Sequence, residues 1–593
     1  MIDEPCEAWY ADVARYPLAT ELKQRAKPSQ GAQPTGCAPF FCSVRGLALT
    51  APGTDPTSAY SRHVVARFAD FANPKTPWHR RLWDVGTFLA LEELHDAGVW
   101  LDREVLSPGA VRWLKEDLHK NVGQDVAFGE QQMRQQLGLC LRSDLTIRSD
   151  GRRRLRHLID TARPEYLNRW AKLAESETPP GAERVARAAA SHLLDSGHSL
   201  TGLRSWMKEL PTASASELLH QAADLAASSS RTFRVWVPVL QLAEIQLADS
   251  LATFTRAESL PGAVQERLQP PGARPVAGAF VYDVEARDAE AAIEVVVDVV
   301  ERMRARARFA GAAGLLRVGS RGYVENENRM IDLRVPDRGA AIMSLVAERQ
   351  LFNVNPAKTY AASRHAIDDA LELAAPLNAG SLAPALSGSW AALEALLTDA
   401  QDSDQEEGKV SAAVRAARLV ACSWPRAELT ALSYQVNSTD QAGAGLWAQL
   451  MQAPTNRDRA EHVAEFLLDH HGLPLKRGWR LQSDVAAVAR MMPTLTDPTK
   501  VLRDVSGYVE SSLRRMYRCR NMIVHGGTTR GDVLDSTVRV VAPLVGAALD
   551  RLVHSHMVVG TEPLDLATRA DAAISLVSEP TVGLHVVDLL GNT

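Results

Sequence analysis

Three side-chain types that could together cleave RNA lie close to one another near the C-terminus, in the segment YRCRNMIVHGG (residues 517–527). Arginine is permanently charged and binds phosphate, and asparagine orients its neighbours through hydrogen bonds. Histidine titrates near neutral pH and can move protons. This chemistry requires no metal ion. We therefore take Arg520, Asn521 and His525 as candidate catalytic residues.

The spacing within the segment predicts that it is helical. At about 100° per residue, Asn521 and His525 lie one turn apart on one face, which Arg518 extends. The apolar residues 522–524 would then turn toward a core, and Gly526-Gly527 would end the helix. The alternative is that the arginine and histidine merely cap a helix.

The segment resembles the Arg-x(4–6)-His signature of the HEPN superfamily. It is most similar to the bacterial abortive-infection and anti-phage branch, the ApeA-like group, in which Arg-Asn-x-x-x-His-Gly-Gly is common. Arg520 precedes His525 with four residues between them and Arg518 with six, so both arginines fit. We favour Arg520 because it directly precedes Asn521.

This resemblance implies a metal-independent endoribonuclease in which the RNA 2′-hydroxyl attacks the adjacent phosphorus. His525 would act as general base or acid, and Arg520 would neutralise charge in the transition state. Asn521 would orient His525 or the phosphate. The early helix of a HEPN bundle carries an acidic residue, and the segment 389–397 is similar to that helix. Its Glu394 would hold the arginine by a charge-assisted bond.

The order of predicted helices also matches a HEPN bundle over the last third of the chain. Helices are expected near residues 389–397, 408–419, 457–469 and 482–491. The helix with the candidate residues should begin near Asp497-Pro498, because Asp and Pro favour helix starts. A last helix should run from about 535 to 556.

The chain length indicates several domains, and the overall fold class predicted is mainly α. With 593 residues, 46% hydrophobic and 23% charged, the composition is that of a folded protein. We predict a region 1–170 that is loop-rich and then helical, with a helix over Trp78–Ala97. A mixed α+β module at 171–376 follows, with strands near 233–240, 276–284, 315–324 and 330–335. The HEPN-like helical bundle would occupy 377–593.

Other patterns suggest no cofactor and no metal. The chain has neither a phosphate-binding loop nor a dinucleotide fingerprint. Cys37 and Cys42 could hold a metal but more simply are buried thiols, and Asp469-His470-His471 more simply ends a helix. The basic run 152–157 could bind RNA phosphate or form a solvated helix face. Scattered cysteines, an N-terminus without a secretory segment and the lack of a membrane-spanning apolar run predict a cytoplasmic protein.

The formal net charge of −5 means that any nucleic-acid contact must come from a local basic patch. The expected partners are an RNA substrate such as tRNA or mRNA and a second copy of the chain, as a homodimer or higher oligomer. A phage-derived trigger or an antitoxin would control the activity, with residues 1–376 as a sensor or inhibitory region. Two alternatives remain open: a non-catalytic HEPN protein that binds RNA or a partner, and the toxin of a toxin–antitoxin pair.

Overall fold

A computed structural model describes residues 55–591, except for 56, 123–124, 211–212, 243–244, 273, 312–315, 336, 353–365, 405–409, 479, 530 and 580. The described part is mainly helical and carries one small antiparallel sheet, as the sequence predicts. Cys37 and Cys42 lie outside the described residues. None of the described helices combines the length and apolarity that crossing a membrane would require.

The first part of the described chain is a layered array of helices. They are α1 (Ala59–Phe71), α2 (Thr87–Asp102), α3 (Pro108–Asn121), α4 (Gln131–Arg142), α5 (Asp150–Ala162), α6 (Tyr166–Ala174), α7 (Ala182–Asp195), α8 (Leu200–Lys208) and α9 (Ala215–Ala227). Serine side chains cap several of their N-termini; Ser107 Oγ, for example, accepts from Ala110 N at the start of α3.

The prediction of one helix from Trp78 to Ala97 is wrong at its start. Residues Trp78–Arg80 form a single 3-10 turn, and the α-helix begins only at Thr87. Tertiary contacts override the helical pattern here. The Arg80 side chain binds Glu428 with 2.6 Å between Nε and Oε1, and the Trp83 carbonyl accepts a hydrogen bond from Ser512.

The sheet lies in the middle of the chain, where the sequence predicts strands. Its strands are β1 (Arg231–Leu242), β2 (Phe254–Arg256), β3 (Gly278–Ala286), β4 (Leu316–Val318), β5 (Arg321–Val324) and β6 (Arg329–Asp332). The order is β2-β3-β1-β5-β6, with β4 also paired to β1, and every pairing is antiparallel. The single strand predicted at 315–324 is broken in two at Gly319-Ser320. The helices of this region are α10 (Ile245–Asp249), α11 (Gly262–Leu268) and α12 (Ala289–Phe309), and α12 covers one face of the sheet.

A second helical array completes the chain. Its helices are α13 (Ser344–Ala347), α14 (Ala366–Ala374), α15 (Pro376–Ala379), α16 (Leu382–Leu397), α17 (Ser411–Ser433), α18 (Gln441–Gln452), α19 (Asn456–His470), α20 (Leu481–Thr496), α21 (Pro498–Val524), α22 (Asp532–Val559) and α23 (Pro563–Leu576). The helices predicted from the sequence are present, several of them longer than predicted. Helix α18 and the final helix, α23, were not predicted.

The two helical arrays share one hydrophobic core. A single cluster of buried apolar side chains runs from Tyr60 to Leu590 and includes members of both arrays, whereas the sheet has its own two clusters. The expected boundary at residue 170 falls inside α6, and that at 376 falls at the start of α15. The front helices therefore pack directly on the helices that carry the candidate residues.

Candidate functional site

Helix α21 carries the candidate residues, and its two ends follow from its sequence. Asp497 caps the start by accepting from Lys500 N, and Pro498 occupies the first turn. The helix ends at Val524. Gly527 adopts a φ of 68°, and its N–H donates to the Ile523 carbonyl at 3.2 Å. This is the left-handed glycine cap that the two glycines predict, and it leaves His525 at the helix end.

Arg520, Asn521 and His525 come together at this helix end. Arg520 Nη1 donates to Asn521 Oδ1 at 3.1 Å and lies 3.3 Å from His525 Nε2. A guanidinium has only donors, so a hydrogen bond between these atoms requires His525 Nε2 as the acceptor. Asn521 is 8% exposed, Arg520 is half-buried and His525 is exposed. The cluster thus presents an acceptor nitrogen beside a fixed positive charge, open to solvent.

Arg518, the other candidate arginine, points elsewhere. It is 2% exposed, and its Nε donates to Glu93 Oε1 at 2.6 Å. Arg515, one turn earlier, donates to the other oxygen of Glu93 at 2.7 Å. Geometry therefore separates the two arginines: Arg518 is a buried ion-pair partner, whereas Arg520 faces the histidine.

The buried Glu93 carboxylate is ionised because of these two arginines. Burial on its own raises the pKa of Glu93, but the charges of Arg518 and Arg515, with their hydrogen bonds, outweigh this effect and hold the pKa below its usual value. Opposing charges likewise raise the pKa of Arg515 in spite of its burial. Sequence reasoning missed Glu93, although its neighbours at i−4 and i+4, Leu89 and Ala97, are both apolar and mark its position as buried.

Glu394 lies near helix α21, but it forms no ion pair with an arginine of that helix among the described residues. Its helix α16 packs on α21 through Trp390 and Tyr517, whose ring centroids are 5.0 Å apart. The Glu394 side chain is half-buried, and neither Arg518 nor Arg520 forms an ion pair with it among the described residues. The acid that binds an arginine of α21 comes from the front helix α2 instead.

The apolar residues between Asn521 and His525 divide between core and surface. Met522 is buried and Ile523 packs against the core, as predicted. Val524 is 53% exposed, so the prediction that it faces the core is wrong. The reason is that the helix ends at Val524, so no further helical turn covers this side chain.

Cys519, on the same helix, is a buried thiol. Burial raises its pKa to about 12, which makes this thiol inert.

Helix α2 also approaches the site directly. A Cβ placed on Gly526 would lie 2.8 Å from Cζ3 of Trp100, which is closer than atoms can pack. The same Cβ would lie 2.6 Å from the Met522 carbonyl oxygen, so both the helix end and the Trp100 ring require glycine at position 526. The front helical array supplies part of the wall of this site.

The histidine pair at 470–471 and two arginines of the basic run 152–157 form contacts within or between helices. His470 stacks on Phe466 with ring centroids 4.0 Å apart, and His471 ends helix α19 with a φ of 53°. Within the basic run, Arg152 donates to the His95 carbonyl at 2.9 Å and Arg153 pairs with Asp150. These residues cap and cover helices.

One cluster of potential metal ligands was not anticipated. Single ligand atoms of Glu461, His585 and Asp588 all lie within 4.8 Å of one another. Arg457 already forms ion pairs with both carboxylates, at 2.8 Å from Glu461 and 2.6 Å from Asp588. The cluster is therefore an arginine–carboxylate network that braces the C-terminal residues against α19.

The chain matched no protein-family model, no curated protein and no solved structure. A function for Arg520, Asn521 and His525 must therefore be inferred from their geometry and chemistry.

Proposed function

We propose that this chain is a metal-independent endoribonuclease of the HEPN type, with Arg520, Asn521 and His525 as its catalytic residues. The observation that carries the proposal is the contact of Arg520 Nη1 with both Asn521 Oδ1 and His525 Nε2 at an exposed helix end. A cation and a proton acceptor are held side by side where a phosphodiester can reach both. On this proposal, residues 377–593 form a HEPN bundle.

The reaction would begin when Arg520 moves its hydrogen bond from His525 Nε2 to the phosphate, which frees the Nε2 lone pair to accept the proton of the RNA 2′-hydroxyl. The 2′-oxygen then attacks the adjacent phosphorus and the bond to the 5′-oxygen breaks. The leaving 5′-oxygen takes up a proton from a second group that acts as the acid, so the products are a 2′,3′-cyclic phosphate and a 5′-hydroxyl. Arg520 would stabilise the charge that accumulates on the phosphoryl oxygens. Asn521, through its bond to Arg520, would position the guanidinium.

A homodimer would complete the site. One chain brings a single motif histidine, whereas base and acid roles are best filled by two groups. A twofold axis that places two motifs opposite each other supplies both. We further propose that the enzyme is the toxic effector of an anti-phage abortive-infection system, in which the front region, residues 1–376, responds to a trigger.

The decisive experiment measures RNA cleavage and host toxicity for Arg520→Ala and His525→Ala in the full chain. Both changes should abolish both activities. The melting temperature should change little, because neither side chain is buried in the core. Arg503→Ala, an exposed arginine on the same helix, is the matched control and should behave like the wild type. Retention of cleavage by His525→Ala would refute the assignment.

The chemistry can be tested separately from the residues. Cleavage should persist in EDTA, the 3′ ends should be cyclic phosphates, and RNA with a 2′-deoxy group at the cut site should resist. A strict requirement for a divalent cation, or cleavage of the 2′-deoxy substrate, would exclude attack by the 2′-hydroxyl. RNA binding without cleavage by the wild type would favour the non-catalytic alternative.

A further inference from the structure

Trp100 near the end of helix α2 and Arg103, which caps that helix, play no part in the proposed reaction. Trp100 touches Gly526, the residue after His525, closely enough that no larger side chain would fit there. The guanidinium of Arg103 lies 5.5 Å from the centroid of the Trp100 ring. An aromatic ring from the front region therefore borders the site, and a cation lies against that ring.

The backbone holds this pair in a fixed position. Arg103 caps the C-terminus of α2, and Glu104 follows with a φ of 58°, which turns the chain sharply. The Trp100 carbonyl then accepts hydrogen bonds from Val105 N at 2.9 Å and Leu106 N at 3.2 Å. Leu106 is buried and anchors the turn in the core. Trp100 and Arg103 thus project from a closed turn.

Arg103 differs from the two buried arginines of α21 in its exposure and in its lack of an ion-pair partner among the described residues. Arg515 and Arg518 share the carboxylate of Glu93. Arg103 is exposed, and it has no ion-pair partner among the described residues, a property that it shares with Arg520. Arg520 in the site and Arg103 beside the Trp100 ring are therefore two cations free to bind phosphate in a chain whose net charge is negative, where nucleic-acid binding requires a local basic surface.

We propose that Trp100 and Arg103 form the substrate-binding shelf of this site. Trp100 stacks an unpaired nucleobase next to the scissile phosphate, and Arg103 binds a neighbouring phosphate. Aromatic rings and arginines recognise RNA in this way when its bases are free to leave the helical stack. In a duplex the base faces are covered by their neighbours, so the shelf selects RNA that is single-stranded at the cut. This inference rests on the proposed ribonuclease function and extends it to the class of RNA.

The test measures binding to an RNA that the enzyme cannot cleave, so that a lost binding contact is not confused with lost catalysis. Full-length protein is titrated into a fluorescein-labelled single-stranded RNA that carries one 2′-deoxy nucleotide at the mapped cut site, and anisotropy is recorded. Trp100→Ala should weaken binding roughly five-fold to 150-fold, the range for one base stacked on an aromatic ring. Trp100→Phe should retain most of the affinity. The matched control is Trp447→Ala, since Trp447 is also half-buried with a cation, Lys476, 5.1 Å from its ring.

An abasic nucleotide locates the stacked base. The abasic nucleotide is placed in turn at each position that flanks the cut. At one of these positions it should weaken binding by the wild type. At that position it should cause no further loss of affinity in Trp100→Ala, because the two changes remove the same contact. Arg103→Ala leaves the core intact and should lower the slope of log affinity against log salt by about 0.7, the value for one phosphate contact on a single strand. A duplex of the same sequence should bind weakly to every variant.

The outcomes separate the inference from the function on which it rests. Equal binding by wild type, Trp100→Ala and Arg103→Ala overturns the shelf and leaves the ribonuclease intact. Preference of the wild type for duplex RNA also overturns it. A wild-type protein that binds no RNA of either form overturns the proposed function and the shelf together.

Discussion

The buried triad of Glu93, Arg515 and Arg518 leads to the most quantitative prediction. One carboxylate, with its side chain 6% exposed, balances two guanidinium groups whose side chains are each 3% exposed. Glu93→Gln keeps the size of the side chain but removes its charge. Among the described residues it leaves Arg518 buried without a carboxylate and Arg515 with only Asp84, 3.6 Å away. Breaking a buried pair in this way costs about 3–5 kcal/mol. The same change at a surface pair costs about 0–1 kcal/mol.

The adjacent Glu92 provides the matched control. It lies on the same helix and pairs with Arg163 at 2.7 Å, but its side chain is 27% exposed. Unfolding by urea, followed by circular dichroism at neutral pH, should show a midpoint about 1 M lower for Glu93→Gln than for wild type, since large chains have slopes of about 3 kcal/mol/M or more. Glu92→Gln should shift the midpoint only slightly.

The pH dependence supplies an internal check on the cause. A carboxyl whose folded pKa is depressed stabilises the fold above its unfolded pKa, and this contribution is lost as the pH falls through the folded pKa. The difference between wild type and Glu93→Gln should therefore narrow as the pH is lowered. If Glu93→Gln is no less stable than Glu92→Gln at neutral pH, the reasoning about uncompensated buried charge is wrong.

Three further predictions address other parts of the molecule. Burial and the nearby Asp535 and Asp288 raise the pKa of Glu294 from 4.5 to about 8. The folded state therefore loses stability as the pH rises from about 4.5 toward 8. Glu294→Gln should remove that loss, which thermal melts over the same pH range would show. Mixing excess His525→Ala subunits with wild type should lower cleavage per wild-type chain if the site is dimeric, whereas simple dilution would argue against a shared site. Residues 377–593 expressed alone should be insoluble or unfolded, because their core is continuous with that of the front helices, and a well-folded fragment in circular dichroism would contradict this.

Local sequence determined most of the secondary structure. The start of α21 at Asp497-Pro498 and its end before Gly526-Gly527 follow from capping chemistry, which depends on only a few neighbouring residues. A run rich in strand-forming residues marked β1, and alternation marked β6, because these signals also depend on neighbouring residues. The spacing of Arg520 and His525 also placed both side chains at one helix end.

Tertiary structure decided what local patterns left ambiguous. Arg518 and Arg520 both fit the spacing, and they differ only because Glu93, more than 400 positions away, binds one of them. The helix expected from Trp78 is interrupted because Arg80 reaches Glu428 on α17. Such pairings depend on which helices pack together, and no window of neighbouring residues contains that information. The candidate residues could thus be named from the sequence, whereas their division into buried ion pairs and an open cluster arose from the packing of the front helices against α21.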